Sequence, residues 1–228
     1  MTGSSIKTIN GDANLESTLF HKLARHTDEF EAYANPHAAR IAALAVEIAK
    51  AFNLGSKDLQ SLRAAALLHD LGEVTMNRDY VRRAGTLSDE ERLDLERHPI
   101  IGEREAAQTG SDRAAQLIIR WHHEWWNGGG YPDALRQEEI PLAARILRVA
   151  DSYAAITDAR PFRPAKSKDK ADEHMAHWAG IEFDPRVVNA LLSLAPMQEL
   201  ESFAQAEIDA GVGAPAERKE DLFSSFSR

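Results

Sequence analysis

Five histidines and two aspartates carry the chemistry that this sequence suggests, because each stands at the end or on the apolar face of a predicted helix. They are His37, His69, Asp70, His98, His122, His123 and Asp151. One imidazole on an apolar face is usually a hydrogen-bonded core residue, whereas a buried carboxylate is costly unless it is paired or bound to a metal. Seven such residues on separate helices favour a metal site. Because the chain has no cysteine, nitrogen and oxygen must hold the metal, and such ligands suit iron, manganese or zinc better than magnesium or calcium.

The elements that must position these residues are predicted to be helices almost throughout. The first long helix begins at Asn35-Pro36, with the asparagine as its cap, and its apolar residues recur at helical spacing as far as Phe52. Ser56 caps a second helix, which ends near Gly72, directly after the pair His69-Asp70. The apolar faces of both helices predict a buried packing surface, so the polar residues on those faces point inward.

Capping and breaking residues predict the remaining helices. Ser88, with Glu91 three residues later, forms a capping box for a helix that runs toward His98, and Pro99 predicts a break or a restart of the helix there. The glycine-rich run 127–132 cannot be regular helix and predicts a tight loop. Further helices are predicted from Asp112, from Pro141 to about Thr157, over about 167–179 and from Asp184-Pro185. The fold class that follows is all-α.

The length of 228 residues suits one ordinary domain with short additions at its ends. Residues 1–34 are predicted to form an N-terminal helical segment, and residues 35–195 the core domain. Residues 196–228 are polar and interrupted by glycine and proline, which predicts a peripheral C-terminal helix followed by a frayed tail.

Composition and charge narrow the partners and the location. No apolar run approaches the ~18–20 residues of a membrane span, and the first residues lack the apolar stretch of a secretory signal. We therefore expect a cytoplasmic protein without a membrane partner. A net charge of −9 argues against binding to duplex nucleic acid, whose phosphates require a basic face. It does not argue against a small phosphorylated ligand in a locally basic pocket.

Two motifs resemble the signatures of a known family. His69-Asp70, in the run LLHDLGE, resembles the HD signature of metal-dependent phosphohydrolases. The run from His122 to Pro132, HHEWWNGGGYP, resembles the HHExxDGxGYP signature of the HD-GYP branch. Two later segments, IPLAARILRVADSYAAITDARPFR and Phe183-Asp184-Pro185, are similar to segments that follow in the same order in that branch. An HD dipeptide alone is not specific, but the ordered set is, and it covers about residues 35–193.

This resemblance implies a fold, a ligand set and a reaction. The fold would be a single HD-type helical bundle with the C-terminal tail at its periphery. One metal would lie among His37, His69, Asp70 and Asp151, and a second among Asp70, His98, His122 and His123. Family members are usually associated with iron or manganese, and zinc also fits the ligands. His69 and Asp70 would be the catalytic pair, with a hydroxide bridging two metals ~3.5–4 Å apart as the nucleophile. The implied substrate is cyclic di-GMP, and the product is pGpG, GMP or both.

The resemblance also assigns residues to the substrate, with three departures. Arg160 and Arg163 match positions where the family holds phosphates, to which a guanidinium binds bidentately. Glu73 stands where the family has a phosphate-contacting lysine; at ~5 Å and an effective dielectric near 20, one charge pair is worth ~3 kcal/mol, so this reversal weakens substrate binding. Tyr33 stands where some members hold a third metal with glutamate, so two metals are expected. Asn127 replaces the aspartate of the GYP run and tolerates the same turn.

Three functions follow from these observations. The first is hydrolysis of cyclic di-GMP, which the presence of all seven ligands favours. The second is a signalling module that binds cyclic di-GMP or a protein without turnover, because Glu73 has disabled it. The third is an HD phosphohydrolase for another nucleotide. The resemblance further implies a diguanylate cyclase domain as a partner for the loop Gly130-Tyr131-Pro132. The sequence leaves the oligomeric state open, with a dimer as one option.

Overall fold

Helices make up almost all of the regular structure. The computed structural model of the protein describes the backbone of residues 5–160 and 163–194, with side chains from residue 17 onward in those ranges. Within them, two isolated backbone bridges are the only strand-like pairing, so the predicted all-α class is confirmed. The described residues form ten α-helices, α1 Ser5–Phe30, α2 His37–Lys50, α3 Ser56–Leu68, α4 Leu71–Met76, α5 Asp89–Leu95, α6 His98–Gln108, α7 Arg113–Trp121, α8 Leu142–Thr157, α9 Lys168–Trp178 and α10 Pro185–Leu192. Asp79–Val81 and Gln137–Glu139 are short 3-10 helices.

The predicted helix starts agree with the structure in most places. The Ser88 hydroxyl accepts from the Glu91 amide, and the Glu91 carboxylate accepts from the Ser88 amide, so the predicted capping box is confirmed. The cap of α2 was wrongly predicted at Asn35. Pro36 occupies that position with ψ of 88°, outside the helical range, so α2 begins one residue later than the predicted cap requires. Ser56 is likewise the first residue of α3, because extended Gly55 precedes it as the cap.

The core is centred on α2 and α8, which pack against each other, and α2 also packs against α3. The inward face of α2 is rich in alanine, with Ala42, Ala45 and Ala49 fully buried. Small side chains let helix axes approach closely. The facing residues of α8 include Ile146 and Ala150, which are also fully buried. This packing brings the N-terminus of α2 beside the C-terminal half of α8.

The break between α3 and α4 lies against the N-terminus of α6. Gly72, in the first turn of α4, meets this helix so closely that a Cβ atom would overlap the His98 carbonyl and lie 2.8 Å from the Gly102 amide. Only glycine fits such an approach of two backbones. The residues just before Gly72 are therefore held next to His98.

The N-terminal segment packs against the bundle. The predicted helix in residues 1–34 is α1, and its residues Phe20, Leu23 and Ala24 are buried against neighbouring helices. It contacts α2, α3 and α4. The boundary predicted at residue 35 stays a prediction, and the tail predicted at 196–228 lies outside the described residues. Among the described helices, none combines the length and apolar character of a membrane span.

Candidate metal centre

All seven predicted ligands come together where α2, α3, α6, α7 and α8 meet. They lie in two groups, Asp70 with His98, His122 and His123, and His37 with His69 and Asp151. In each group the potential ligand atoms all lie within 4.8 Å of one another. The groups are adjacent, because His69 Nε2 is 2.9 Å from Asp70 Oδ2 and 3.9 Å from Asp151 Oδ1. Residues separated by more than a hundred positions therefore form one centre.

Three of the histidines are oriented by the helix turn that precedes them. In His69, His98 and His122, Nδ1 lies 3.0, 2.8 and 2.6 Å from the carbonyl oxygen three residues earlier. A carbonyl can only accept, so Nδ1 donates and Nε2 is left to face the centre. His98 Nε2 and His122 Nε2 lie 3.3 and 3.6 Å from Asp70 Oδ1. A backbone hydrogen bond on the far nitrogen is the usual way to orient a metal-binding imidazole.

The converging atoms fit a divalent cation. His98 Nε2 and His122 Nε2 are only 3.4 Å apart, and both face the same carboxylate. Among the described residues, His69 Nε2 and Asp70 Oδ1 are buried and lack a hydrogen bond of good geometry. Buried polar atoms without a well-aligned partner are unfavourable, and a shared cation would satisfy both of these atoms. Nitrogen and carboxylate ligands of this kind match divalent transition metals.

The pKa shifts of His69 and Asp70 also favour a bound cation. Burial alone would raise the pKa of Asp70, but His69 and the other imidazoles hold it well below its usual range. Burial alone would lower the pKa of His69, but the Asp70 carboxylate outweighs this effect and raises it to about 10. The pair therefore binds a proton tightly. Protons and metal ions compete for the same lone pairs, so such a site also favours a metal cation.

His37 is oriented by a carboxylate that the sequence reasoning missed. Its Nδ1 lies 2.7 Å from Asp158 Oδ2, and its Nε2 lies 3.9 Å from Asp151 Oδ1. Asp158 also pairs with Arg40. The ring of Tyr33 stacks on the His37 ring at 3.7 Å. Asp158 was missed because it follows the last residue of α8 in an extended conformation and lies 121 positions from His37.

His123 differs from the other four histidines. Its Nδ1 lies 2.9 Å from Nη1 of Arg148, and a guanidinium can only donate, so this nitrogen accepts. Burial, His122 and Arg148 lower the pKa of His123 well below its usual value. The Tyr131 ring stacks on the His123 ring at 4.8 Å. Arg148 was not among the predicted site residues, although it precedes Asp151 by three residues on the same helix.

The glycine-rich loop holds Tyr131 against the centre. A Cβ atom on Gly130 would overlap the backbone of His123 and Trp125, so only glycine fits there. The Tyr131 amide donates to the His123 carbonyl at 3.2 Å. Asn127 Oδ1 accepts from the Gly129 amide at 2.8 Å, which an aspartate oxygen could also do. The aspartate-to-asparagine departure is therefore compatible with the turn.

The predicted substrate-binding residues lie on one side of the centre, among acids. Glu73 is buried, and burial together with Asp70 raises its pKa to about 7. Arg160 lies over the Tyr33 ring at 3.9 Å and pairs with Glu31 at 2.9 Å. Burial, Asp70 and Glu73 raise the pKa of Glu31 well above its usual value. Glu31 was missed because nothing near residue 31 marks it as part of a site 129 residues from its partner.

Arg163 is placed differently from Arg160. Its backbone pairs with that of Arg160 in an isolated bridge. Its side chain is exposed and donates to the Ala155 carbonyl at the end of α8. Its predicted contact with substrate phosphate stays a prediction.

Comparison with known proteins places this centre in a family. The family model described as HD domain matches residues 22–187, so the chain belongs to the HD domain family. The solved structure of Bd1817, an HDG"Y"P protein from Bdellovibrio bacteriovorus, has the same fold, with a TM-score of 0.57 and 22% identity over 68% of this chain and 50% of that one. The predicted membership of the HD-GYP branch is confirmed.

Two curated relatives share about a third of the aligned residues. The chain is 32% identical over 189 residues to the cyclic di-GMP phosphodiesterase response regulator RpfG of Xanthomonas campestris pv. campestris. The aligned region covers 82% of this chain and 50% of RpfG. It is 31% identical over 190 residues to 3'3'-cGAMP-specific phosphodiesterase 3 of Vibrio cholerae, and this aligned region covers 81% of this chain and 41% of the relative. The chain thus spans half or less of the length of these relatives.

Proposed function

We propose that this protein is a metal-dependent phosphodiesterase that hydrolyses cyclic di-GMP to pGpG, GMP or both. The observation that carries the proposal is the convergence of seven nitrogen and oxygen ligands into two adjacent groups beside the glycine-rich loop. We further propose two divalent ions, iron or manganese, with zinc as the alternative. The cytoplasm as the site of action stays a prediction.

The residues of the centre have distinct tasks in this proposal. His37, His69 and Asp151 would hold one ion; His98, His122 and His123 would hold the other; and Asp70 would serve both. Ions held there would supply Lewis acid catalysis and a water of lowered pKa for attack on phosphorus. The carbonyls behind three of the histidines and Asp158 behind His37 keep the imidazoles in their ligating orientation. Arg160 would donate to a phosphate oxygen while it remains paired with Glu31.

The substrate is a cyclic dinucleotide in this proposal, and cyclic di-GMP is the favoured one. Its support is the resemblance to the HD-GYP signature together with the name of RpfG. The name of the Vibrio cholerae relative refers to 3'3'-cGAMP at nearly the same identity. A panel of cyclic di-GMP, 3'3'-cGAMP and linear pGpG separates these substrates, because the products differ in base and in phosphate count.

The test combines metal analysis with turnover on one sample. Protein purified without oxygen is expected to contain about two iron or manganese ions per chain and to release pGpG or GMP from cyclic di-GMP. The double variant His69→Ala, Asp70→Ala should lose both metal and turnover, whereas Arg113→Ala, in an exposed ion pair with Glu103, should keep both. Metal-loaded wild-type protein that releases no more product than the double variant would refute the enzymatic proposal.

A second candidate function is a binding module without turnover. The observation that favours it is the buried acid Glu73, which lies with Glu31 around Arg160 where the family has a basic residue. In this case cyclic di-GMP binds to metal-loaded protein but is not cleaved. Glu73→Lys should then switch hydrolysis on. A variant that stays inactive would show that this substitution is not the cause.

Docking of a diguanylate cyclase domain on Gly130-Tyr131-Pro132 also stays a prediction. The Tyr131 ring faces His123, so a partner would meet the outer edge of the loop. Retention of a purified diguanylate cyclase domain by the wild type, lost in a variant with loop residues 127–129 exchanged for serine, would support such docking.

A further inference from the structure

Arg148 is a basic residue that contacts both predicted ligand groups. It lies on α8, one turn before Asp151. Its Nη1 is 2.9 Å from His123 Nδ1 in one group and 3.7 Å from Asp151 Oδ2 in the other. Its Nη2 pairs with Glu182, which holds the guanidinium at this place. Arg148 therefore stands at the border between the two groups.

The guanidinium has donor capacity that the described residues do not use. Its Nε is buried and lacks a hydrogen-bond partner among the described residues. Glu182 and His123 use one terminal nitrogen each, out of five N–H groups. The charge of the guanidinium is already offset by the carboxylates of Glu182 and Asp151, so what is left unused is the Nε–H donor. An incoming phosphate oxygen would satisfy this free donor.

The charges around Arg160, on the opposite side of the centre, also favour Arg148 as the residue that binds phosphate. There, Arg160 is already paired with Glu31 at 2.9 Å, and Glu73 adds a second buried acid. Two acids thus accompany one base where the family has an additional lysine. On the other side, Arg148 pairs with Glu182 and lies 3.7 Å from Asp151, a carboxylate that a bound metal would engage in the proposed function. A phosphate that approaches the centre therefore finds its more favourable cation at Arg148.

We propose that Arg148, anchored by Glu182 at the border of the two ligand groups, binds the phosphate of the substrate and supplies the positive charge that Glu73 removes. This assignment rests on the proposed function, because the phosphate belongs to the cyclic dinucleotide. It includes a change of partner. If Nδ1 were the atom with which His123 held a metal, the Arg148 N–H would lose this acceptor and would be available to a phosphate oxygen.

The experiment measures phosphate binding, metal content and turnover on the same preparations. Arg148→Met keeps the length of the apolar stem but removes the charge, and Arg148→Lys keeps the charge but loses the planar fork. Arg113→Ala, on the exposed ion pair with Glu103, is the matched control. Inorganic phosphate is titrated into chelator-treated and manganese-loaded protein by calorimetry. Removing a charge-assisted hydrogen bond is expected to weaken phosphate binding roughly 10- to 100-fold in Arg148→Met, with partial recovery in Arg148→Lys and no change in the control.

The outcomes separate this inference from the proposed function. Weakened phosphate binding at unchanged metal content, with a raised KM for cyclic di-GMP, supports it. Unchanged phosphate binding in Arg148→Met overturns it even if wild-type protein hydrolyses cyclic di-GMP. Loss of binding in parallel with loss of metal also overturns it, because Arg148 then supports only the ligands. If wild-type protein cleaves no cyclic dinucleotide, the proposed function fails. The phosphate titration still decides in that case whether Arg148 binds phosphate. Wild-type protein that binds no phosphate overturns the inference.

Discussion

Replacing Glu73 by glutamine removes an ionisable group from the buried edge of the metal centre and keeps the size of the side chain. The pKa of Glu73 is raised from 4.5 to about 7 by burial and by the neighbouring Asp70 carboxylate. Between these two pH values the folded chain keeps the proton, whereas the unfolded chain releases it. Linkage then requires the free energy of unfolding to fall as pH rises through this window, because the unfolded state binds fewer protons.

The magnitude follows from the difference between the two pKa values. About 2.5 pH units at about 1.4 kcal/mol each correspond to a penalty of about 3 kcal/mol that is fully present above pH 7. Glutamine is neutral at every pH and escapes this penalty. Glu73→Gln should therefore be more stable than the wild type by about 3 kcal/mol at pH 8, or about 6–12 °C in Tm for a chain of this length. At pH 5 the two proteins should agree within about 1 kcal/mol.

The assay is urea unfolding of chelator-treated protein at pH 5 and pH 8, so that bound metal does not alter the charge around Glu73. Glu139→Gln is the matched control, because that side chain is exposed, and it should change stability equally little at both pH values. A stability difference between wild type and Glu73→Gln that is the same at pH 5 and pH 8 would contradict the reasoning. It would mean that Glu73 is ionised in the folded protein as readily as in the unfolded chain.

Two further predictions concern the elements around the ligands. Asp158→Asn weakens the hydrogen bond that orients His37. The metal affinity should therefore fall about 10- to 100-fold in a chelator competition titration. Unchanged affinity would show that Asp158 does not orient a ligand. Gly72→Ala places a Cβ against the His98 carbonyl and should cost at least about 2 kcal/mol in urea unfolding, whereas Gly55→Ala, with no neighbouring atom closer than 3.7 Å, should cost less than half as much.

The ligands could be predicted from the sequence because each carries its signal locally. A histidine such as His37 on an apolar helix face, or the pair His69-Asp70 at a helix end, is recognisable from periodicity alone, and the ordered motifs relate these positions to one another. The capping box at Ser88 is equally local. The three-residue spacing from Arg148 to Asp151 could also have been noticed, because it places both side chains on one face of α8.

The partners of these ligands could not be predicted in the same way. Asp158 is 121 residues from His37, and Arg160 is 129 residues from Glu31. No periodicity links such pairs, since their approach depends on how α1 and α2 pack beside the end of α8. This limits what the sequence says about the charges around the centre. The sequence indicated that Glu73 reverses a charge, but that Glu31 is a second acid beside Arg160 is apparent only from the packed helices.

The charge pattern around the centre makes restoration of the family's lysine a coupled change. If Arg148 has taken over the phosphate contact, Glu73→Lys should improve KM little in the wild type but substantially in Arg148→Met, because only that variant lacks a phosphate-binding cation. Neighbouring charges are coupled, and a double-mutant cycle measures that coupling. If the two changes are additive in log KM, the sites act independently, and Glu73 has removed a cation that Arg148 does not replace. Changes in log KM that are less than additive at constant metal content would instead show that the protein tolerates Glu73 because Arg148 binds the phosphate.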